Sequence, residues 1–457
     1  MKFYIVLLLL FVGCNKNIQF EEFSNYNLIL VSGNDQIGLQ NMILFEDIVV
    51  KVEDDLGASV ANAKLNIKVI SGEGNLNSGE SIFTNEDGIA TISWKLGLSY
   101  NNTIEISSSL NETSSVLINA IAKYNYMIPQ ENEDGWKSSE IDGFLTNKNT
   151  VFEGIDEIRK GNYKEIHSVL LSINDKLVLE EYFSGTNSFG QHIDYDRVTP
   201  HELQSVNKTF RGAILGIAID KGFIDNDKEP LYALFPDLDY LSKNGKEEIL
   251  LEHLLDMSSG LEWNEGTDLG GFYNTPFSTA HTYVLSKSLE NVPGTVFEYN
   301  TGTSFVLNRI VMNAIDVDFE FFARNNYSVL VESEALPGTG EPLDFRNTPR
   351  DMLKLGQVYL NNGKWKNVQV ISKAWVDKST IAHQNVSTNS SYGYQWWIRD
   401  FNVGEKKYNC YYAAGYGGQF IFVIKELNLV AVFTGGNFNS KKSIPIEMME
   451  NYILPAF

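Results

Sequence analysis

The sequence predicts a multidomain chain in which an all-β sandwich precedes a larger α+β domain, an antiparallel sheet flanked by helices with an all-helical region. Three observations lead to this fold class. The chain has 457 residues, enough for roughly two or three domains. Residues 29–123 alternate apolar and polar side chains, as half-buried strands do. Beyond them, strand-like segments stand at both ends of a region with helical periodicity, which favours an α+β arrangement.

The alternation in the N-terminal part is clearest in two runs. Leu65–Val69 and Ala90–Leu96 each place apolar residues at every second position. Asp87-Gly88 precedes the second run and is typical of a hairpin turn. Short strands separated by glycine and asparagine turns therefore predict a β-sandwich over residues 29–123.

The first residues have the pattern of an export signal. Met1-Lys2 is followed by the apolar run Phe3–Val12, which is too short to span a bilayer, and then by Gly13-Cys14. The ending Leu-Phe-Val-Gly-Cys resembles a bacterial lipobox. We therefore predict a lipoprotein signal peptide over 1–13, a lipidated Cys14 and a linker over 14–28. Ordinary secretion with cleavage elsewhere is the alternative.

Composition excludes several functions. The net charge of −22, with no basic cluster, disfavours nucleic acid as a partner. The six histidines form no metal-binding motif, so we expect neither a metal nor another cofactor. Cys410 is the only other cysteine and has no intramolecular partner in the mature chain. We predict that it lies buried in a strand, like a small hydrophobic residue.

One segment of the larger domain pairs a nucleophile with a base. Apolar residues recur at helical spacing from Ser205 to Lys221, and Gly222 followed by Phe223 predicts the helix end. Ser205 and Lys208 lie one turn apart on one face, so the lysine can reach the hydroxyl. Lysine can deprotonate serine where desolvation or positive charge lowers its pKa. A single Ser-x-x-Lys also occurs by chance, so the surrounding segments must show whether this one is catalytic.

The surroundings resemble a known family. The run SVNKTFRGAILGIAIDKGFI from Ser205 resembles the nucleophile helix of the serine β-lactamase and penicillin-binding-protein superfamily, particularly its class C-like and esterase branch. The remaining landmarks follow in the family's order: HLLDMSSGLEW from His253, VPGTVFEYNTG from Val292, NTPRDMLKLGQVYLNNGKW from Asn347, YGYQWW from Tyr392 and AAGYGGQFIFV from Ala413. The resemblance covers residues 124–457. Residues 29–123 resemble bacterial Ig-like domains of the invasin type, which act as spacers or as binding surfaces.

The resemblance also assigns Tyr299. In the second family motif this tyrosine lies near Ser205 and Lys208, and beside a lysine ammonium it would hold a lowered pKa and shuttle the proton. Thr301 stands where the family has asparagine. The alternative is that Tyr299 only caps the start of a buried helix.

The third family motif departs from its usual form. It aligns with Gly415-Tyr416-Gly417, where the cation is missing. Gly415 and Gly417 would let the strand approach the substrate, and the Gly418 N–H would join that of Ser205 as the second oxyanion donor. The alternative is a tight turn at the start of a strand.

The missing cation bears on the substrate. In the family, the cation of the third motif helps to hold a substrate carboxylate. Its loss predicts hydrolysis of short-chain esters or uncharged amides and negligible turnover of penicillins and cephalosporins. Arg346 or Arg350 could replace the missing charge, although Arg350 better fits the support of a helix start.

Together these features predict a lipid-anchored serine hydrolase of the bacterial cell envelope with an Ig-like spacer. Its partners would be a small ester or amide substrate and the lipid bilayer. The alternative is a surface adhesin whose hydrolase-like domain has lost activity.

Overall fold

The structure is a computed structural model that describes residues 26–333, 346–438, 440 and 443–457. Its chain divides into two compact units, Met1–Asn125 and Tyr126–Phe457. Residues 1–13 and Cys14 lie outside the described residues, as does most of the predicted linker. No helix in the described part of the chain has the length and apolar character needed to cross a membrane.

In the part of the first unit that the structure describes, the chain forms ten strands. They are β1 (Asn27–Ser32), β2 (Gln36–Leu39), β3 (Ile48–Glu53), β4 (Lys64–Ser71), β5 (Asn75–Leu76), β6 (Ser81–Phe83), β7 (Ile89–Ile92), β8 (Trp94–Lys95), β9 (Asn101–Ser108) and β10 (Asn111–Lys123). One sheet has the order β1-β3-β7 and a second has the order β2-β10-β9-β4-β6, while β5 pairs with β8. Apolar side chains from both sheets, including Ile48, Val50, Leu65 and Ile104, form one buried core. The assignment to the Ig-like family stays a prediction.

The turn at Asp87-Gly88 is not the hairpin that the sequence indicated. The strand before it, β6, pairs with β4, whereas the strand after it, β7, pairs with β3 in the other sheet. The Asn85 side chain accepts hydrogen bonds from Asp87 N and Ile89 N, both at 2.9 Å. This local turn resembles a hairpin in sequence, but the strands before and after it pair in different sheets.

The second unit combines a large sheet with helices. Its strands are β11 (Lys137–Ser138), β12 (Ile166–Ile173), β13 (Lys176–Tyr182), β14 (Ser184–Thr186), β15 (His192–Asp194), β16 (His201–Glu202), β17 (Arg346–Asn347), β18 (Lys364–Trp365), β19 (Val368–Gln369), β20 (Gln384–Ser387), β21 (Ser390–Tyr392), β22 (Trp397–Val403), β23 (Lys406–Gly415), β24 (Gln419–Ile424) and β25 (Leu429–Gly435). Its helices are α1 (Lys148–Arg159), α2 (Val206–Asp220), α3 (Leu251–Leu255), α4 (Glu265–Tyr273), α5 (Phe277–Leu285), α6 (Thr301–Ile315), α7 (Phe319–Ala323), α8 (Pro349–Leu360), α9 (Lys373–Ser379) and α10 (Ile444–Met448).

The central sheet has the order β11-β13-β12-β25-β24-β23-β22-β21-β20. Every residue of β12, β24 and β25 is buried, so both faces of the sheet are covered. The predicted hairpin of β12 and β13 is confirmed: Asn174 and Asp175 at its turn have φ of 49° and 62°. Cys410 is fully buried in β23, as predicted.

Helix α2 lies in the core against this sheet, and its predicted bounds are confirmed. Ser205 is its N-cap, and Gly222 follows its end with φ of 75°. Gly216 allows close packing, because a Cβ there would lie 2.4 Å from Trp375 Nε1. The helix that follows Ser205 therefore packs closely against α9.

Arg350 in α8 is a structural cation. It is buried and donates to Glu180 Oε1 at 2.6 Å and to Asp134 Oδ2 at 2.9 Å. The hydroxyl of Thr348 caps the same helix by accepting from Asp351 N. Arg350 thus joins the start of α8 to strand β13, in agreement with the helix-supporting interpretation.

We expect Arg350→Leu to lower the free energy of unfolding by about 3–5 kcal/mol, because it leaves two buried carboxylates without their cation. Urea denaturation followed by fluorescence would measure the loss. Lys373→Met is the control, since it removes only an exposed ion pair with Asp377 and should change stability little. Equal stability of the two variants would contradict the structural role.

Candidate active site

Ser205 stands at a sharp reversal between β16 and α2. The preceding residue, Gln204, has φ of 50°, a conformation that costs energy for a residue with a side chain. The Ser205 hydroxyl makes no capping hydrogen bond to its own helix. It instead accepts a hydrogen bond from Lys208 Nζ at 2.8 Å, so the contact expected from the spacing is present.

Lys208 is buried inside the unit, with 4% of its surface exposed. Its pKa is lowered to about 7, mainly by desolvation and secondarily by the positive charge of Arg211, while the charge of Glu265 acts in the opposite direction. A substantial fraction of the lysine is therefore the neutral amine near pH 7. A neutral amine at hydrogen-bond distance from a hydroxyl can accept its proton.

Tyr299 completes the cluster, but its protonation differs from the sequence expectation. Its phenol shares a hydrogen bond with Ser205, and Lys208 Nζ lies 4.8 Å from its ring centroid. Burial raises the pKa of the phenol well above its usual value rather than lowering it. The predicted lowering of the Tyr299 pKa required a charged Lys208 ammonium. The burial that raises the Tyr299 pKa instead favours the neutral amine of Lys208. Tyr299 is thus a neutral phenol, and Lys208 is the basic group.

The residue that caps the start of the helix is not Tyr299, as the alternative interpretation had it, but the next residue in the chain. Asn300 is the N-cap of α6, and its side chain accepts from Thr303 N at 2.9 Å. Tyr299 itself stacks on Trp397, with ring centroids 5.8 Å apart. The Tyr299 hydroxyl makes the hydrogen bond with Ser205.

Thr301 hydrogen-bonds to a side chain of helix α4. Its amide donates to Glu265 Oε2 at 3.1 Å, and its hydroxyl hydrogen-bonds to the other oxygen of the same carboxylate. Trp263 Nε1 donates to Glu265 Oε2 at 2.6 Å. Glu265 could not be recognised from the sequence, because an acidic residue after the N-cap Asn264 looks like an ordinary helix start.

The third motif forms one wall beside Ser205. Strand β22 pairs with β23 only as far as Tyr412, so the last residues of β23 pair with β24 alone. A Cβ on Gly415 would lie 2.5 Å from Leu203 O. Glycine at 415 therefore lets the strand end approach the chain just before Ser205. The expected approach of this strand to a substrate stays a prediction.

The other two predicted glycines have a different role. Gly418 N donates to Gly415 O at 3.2 Å inside the hairpin turn, so this amide is occupied. Gly417 packs against Phe438, where a Cβ would come within 2.5 Å of the ring. Neither glycine lines the cleft at Ser205, whereas Gly415 and Tyr416 do. The expectation that Gly418 supplies the second oxyanion donor is corrected, because the turn uses that amide.

The cleft that opens at Ser205 has a volume of about 300 Å³. It is lined by Ser205, Tyr299, Trp397, Tyr412, Ala414, Gly415, Tyr416, Phe420 and Ile446. Trp397, Tyr412 and Phe420 were not among the site residues predicted from the sequence. Their only signal was the aromatic content of the landmark YGYQWW and of the strands after it.

Two histidines that are distant in sequence lie beside each other in the second unit. His167 Nδ1 lies 2.8 Å from His201 Nε2, and His167 Nε2 lies 3.2 Å from Glu165 Oε2. Burial lowers the pKa of both imidazoles, that of His201 to about 3, so both are neutral at pH 7. No group of three or more His, Cys, Asp or Glu side chains in the described ranges is arranged to hold a metal ion.

Comparison with known proteins identifies the fold. A family model described as Beta-lactamase matches residues 167–326. An uncharacterized protein of Alkalihalophilus pseudofirmus is 21% identical over 298 residues, which cover 60% of this chain and 84% of that protein.

Solved structures are similar over a larger share of the chain. A penicillin-binding protein from Bacillus halodurans is 16% identical with a TM-score of 0.51, covering 63% of this chain and 97% of its own. A family VIII carboxylesterase is 12% identical with a TM-score of 0.55, covering 67% and 97%. EstCE1, a hydrolase with promiscuous acyltransferase activity, is 12% identical with the same TM-score of 0.55, covering 67% and 99%. The second unit therefore has the fold shared by β-lactamases and penicillin-binding proteins, as the sequence resemblance predicted.

Proposed function

We propose that this protein is a serine hydrolase that cleaves ester or amide bonds through an acyl-enzyme on Ser205. The observation that carries the proposal is the 2.8 Å contact between Ser205 Oγ and a buried Lys208 whose pKa is about 7. A nucleophile beside a base that is partly neutral at pH 7 is the arrangement that acyl transfer requires. A carboxylesterase among the solved structures of this fold agrees with it.

In the proposed mechanism, neutral Lys208 takes the Ser205 proton as Oγ attacks the carbonyl carbon. The ammonium then returns a proton to the leaving group, with the neutral phenol of Tyr299 as the hydrogen-bonded link. The Ser205 N–H at the start of α2 stabilises the oxyanion. We assign the second donor to the Tyr416 amide, because Tyr416 lines the cleft directly after Gly415. Water attacks the acyl-enzyme by the same route in reverse.

The adhesin alternative gains no support from the site. An abandoned active site would have no need for a buried lysine next to a serine, because burial of an amine is costly. Here both side chains are in contact with Tyr299.

Ser205→Ala should abolish labelling by a fluorophosphonate probe and lower ester turnover by roughly three or more orders of magnitude, because the nucleophile is gone. Gel fluorescence and nitrophenyl ester assays would measure both effects. Ser278→Ala, an exposed serine on α5, is the matched control and should label normally. Wild-type labelling of the Ser205 variant would refute the proposal.

The ratio kcat/KM should rise with pH along a limb centred near pH 7, since Lys208 must lose its proton to act. Arg211→Met removes the positive charge that lowers the pKa of Lys208, so the limb should move to higher pH. Arg211→Lys keeps the charge and should leave the limb closer to its original position. A pH-independent rate between about pH 5.5 and 8.5 would show that Lys208 is not the base.

We also propose that Cys14 anchors the protein to the lipid bilayer of the bacterial cell envelope, with the first unit as a spacer. The support is the apolar run followed by Gly13-Cys14.

Full-length protein expressed in a bacterial host should partition into detergent, and Cys14→Ser should abolish this or block signal processing. Cys410→Ala is the control, because Cys410 is buried in β23 and should not affect partitioning. Identical partitioning of wild type and the Cys14 variant would place the anchor elsewhere.

A further inference from the structure

One side of the cleft is a wall of near-parallel aromatic rings that starts at Tyr299. The ring centroids of Tyr299 and Trp397 are 5.8 Å apart with an interplanar angle of 22°. Those of Trp397 and Tyr412 are 6.4 Å apart at 22°, and those of Tyr412 and Phe420 are 6.1 Å apart at 16°. We call these four residues the aromatic wall.

Strand register produces this alignment. Trp397 on β22 pairs with Tyr412 on β23. Phe420 on β24 pairs with Ala414, two positions along β23, so its side chain lies on the same face as Tyr412. Side chains on one face of adjacent strands are neighbours, so the rings form a continuous surface leading away from the nucleophile.

In the described part of the chain, the lining of the cleft offers no counter-charge for an anionic substrate. Among the described residues that line it, all are neutral side chains. Arg350 is engaged by Glu180 and Asp134, and the exposed Arg346 lies 3.6 Å from Glu202. Arg399, on the strand that carries Trp397, is paired with Glu450 at 2.9 Å. The two arginines that the sequence left as candidates for a carboxylate clamp are therefore engaged elsewhere.

We propose that the substrates are neutral esters whose acyl group carries a flat aromatic ring, such as a benzoyl group, lying along the aromatic wall. This inference rests on the proposed hydrolase function and names the substrate class of the same site. A volume of about 300 Å³ admits an acyl group of this size. Aromatic contacts favour a planar ring over a saturated ring of similar size, and a carboxylate buried there would lack a partner.

The test compares nitrophenyl esters of benzoate, cyclohexanecarboxylate and 4-carboxybenzoate on the full-length protein, each corrected for its uncatalysed rate. We expect kcat/KM for benzoate to exceed that for cyclohexanecarboxylate by about two- to tenfold, as one aromatic contact allows. The 4-carboxybenzoate ester should be slower than benzoate by about tenfold or more. Equal rates for the planar and saturated rings, or faster turnover of the carboxylated ester, would overturn the proposal.

Variants of the wall sharpen the test. Phe420→Leu should reduce the benzoate to cyclohexanecarboxylate ratio about three- to tenfold, whereas Tyr412→Phe keeps a ring and should preserve the ratio. Phe321→Leu, an exposed phenylalanine on α7 outside the cleft, is the control and should behave as wild type. The comparison of the three esters on the wild-type protein tests the proposal even if a variant of the aromatic wall fails to fold. A ratio unchanged by folded Phe420→Leu counts against the wall.

Failure of this inference differs from failure of the proposed function. If the protein is no serine hydrolase, Ser205 will not label and nitrophenyl acetate will not be cleaved. If only the aromatic preference is wrong, labelling and acetate hydrolysis remain while the preference is absent.

Discussion

The active site depends on the burial of one amine. Lys208 sits on a helix whose residues from Val206 to Ala218 are all buried, so its ammonium has little solvation. Desolvation is the largest cause of its lowered pKa, ahead of the charge on Arg211. A lysine exposed to water would keep a pKa near 10.4 and would be a poor base at pH 7. The core packing around α2 therefore also lowers the pKa of Lys208 into the range where the amine can act as a base at pH 7.

Burial has opposite consequences for the two groups that contact Ser205. It destabilises the charged form of each, which makes the lysine less basic and the phenol less acidic. The result is a lysine that is partly neutral near pH 7 beside a neutral phenol. Glu265 supplies a nearby negative charge, but it is also hydrogen-bonded to Trp263 and Thr301. The carboxylate thereby joins the start of α6, and with it the Tyr299 loop, to α4.

The sheet determines the shape of the cleft. Because β22 stops pairing at Tyr412, the end of β23 has one edge without a strand neighbour, and that edge lies against the chain before Ser205. Cross-strand neighbours on one face then place aromatic rings beside the nucleophile. The cleft thus opens beside the start of β22 at Trp397, and the register of β22, β23 and β24 forms the wall.

The sequence by itself determined the local features of this protein. Helical spacing fixed α2 and the Ser205–Lys208 contact, Asn174-Asp175 fixed the turn after β12, and ordered landmarks indicated the fold of the second unit. These depend on residues close in the chain or on a pattern of recognisable segments. Contacts between distant segments were decided only by the tertiary structure: Glu265 with Thr301, and His167 with His201. The direction of the Tyr299 pKa belongs with them, because desolvation depends on every element packed around a group, and a motif does not contain that information.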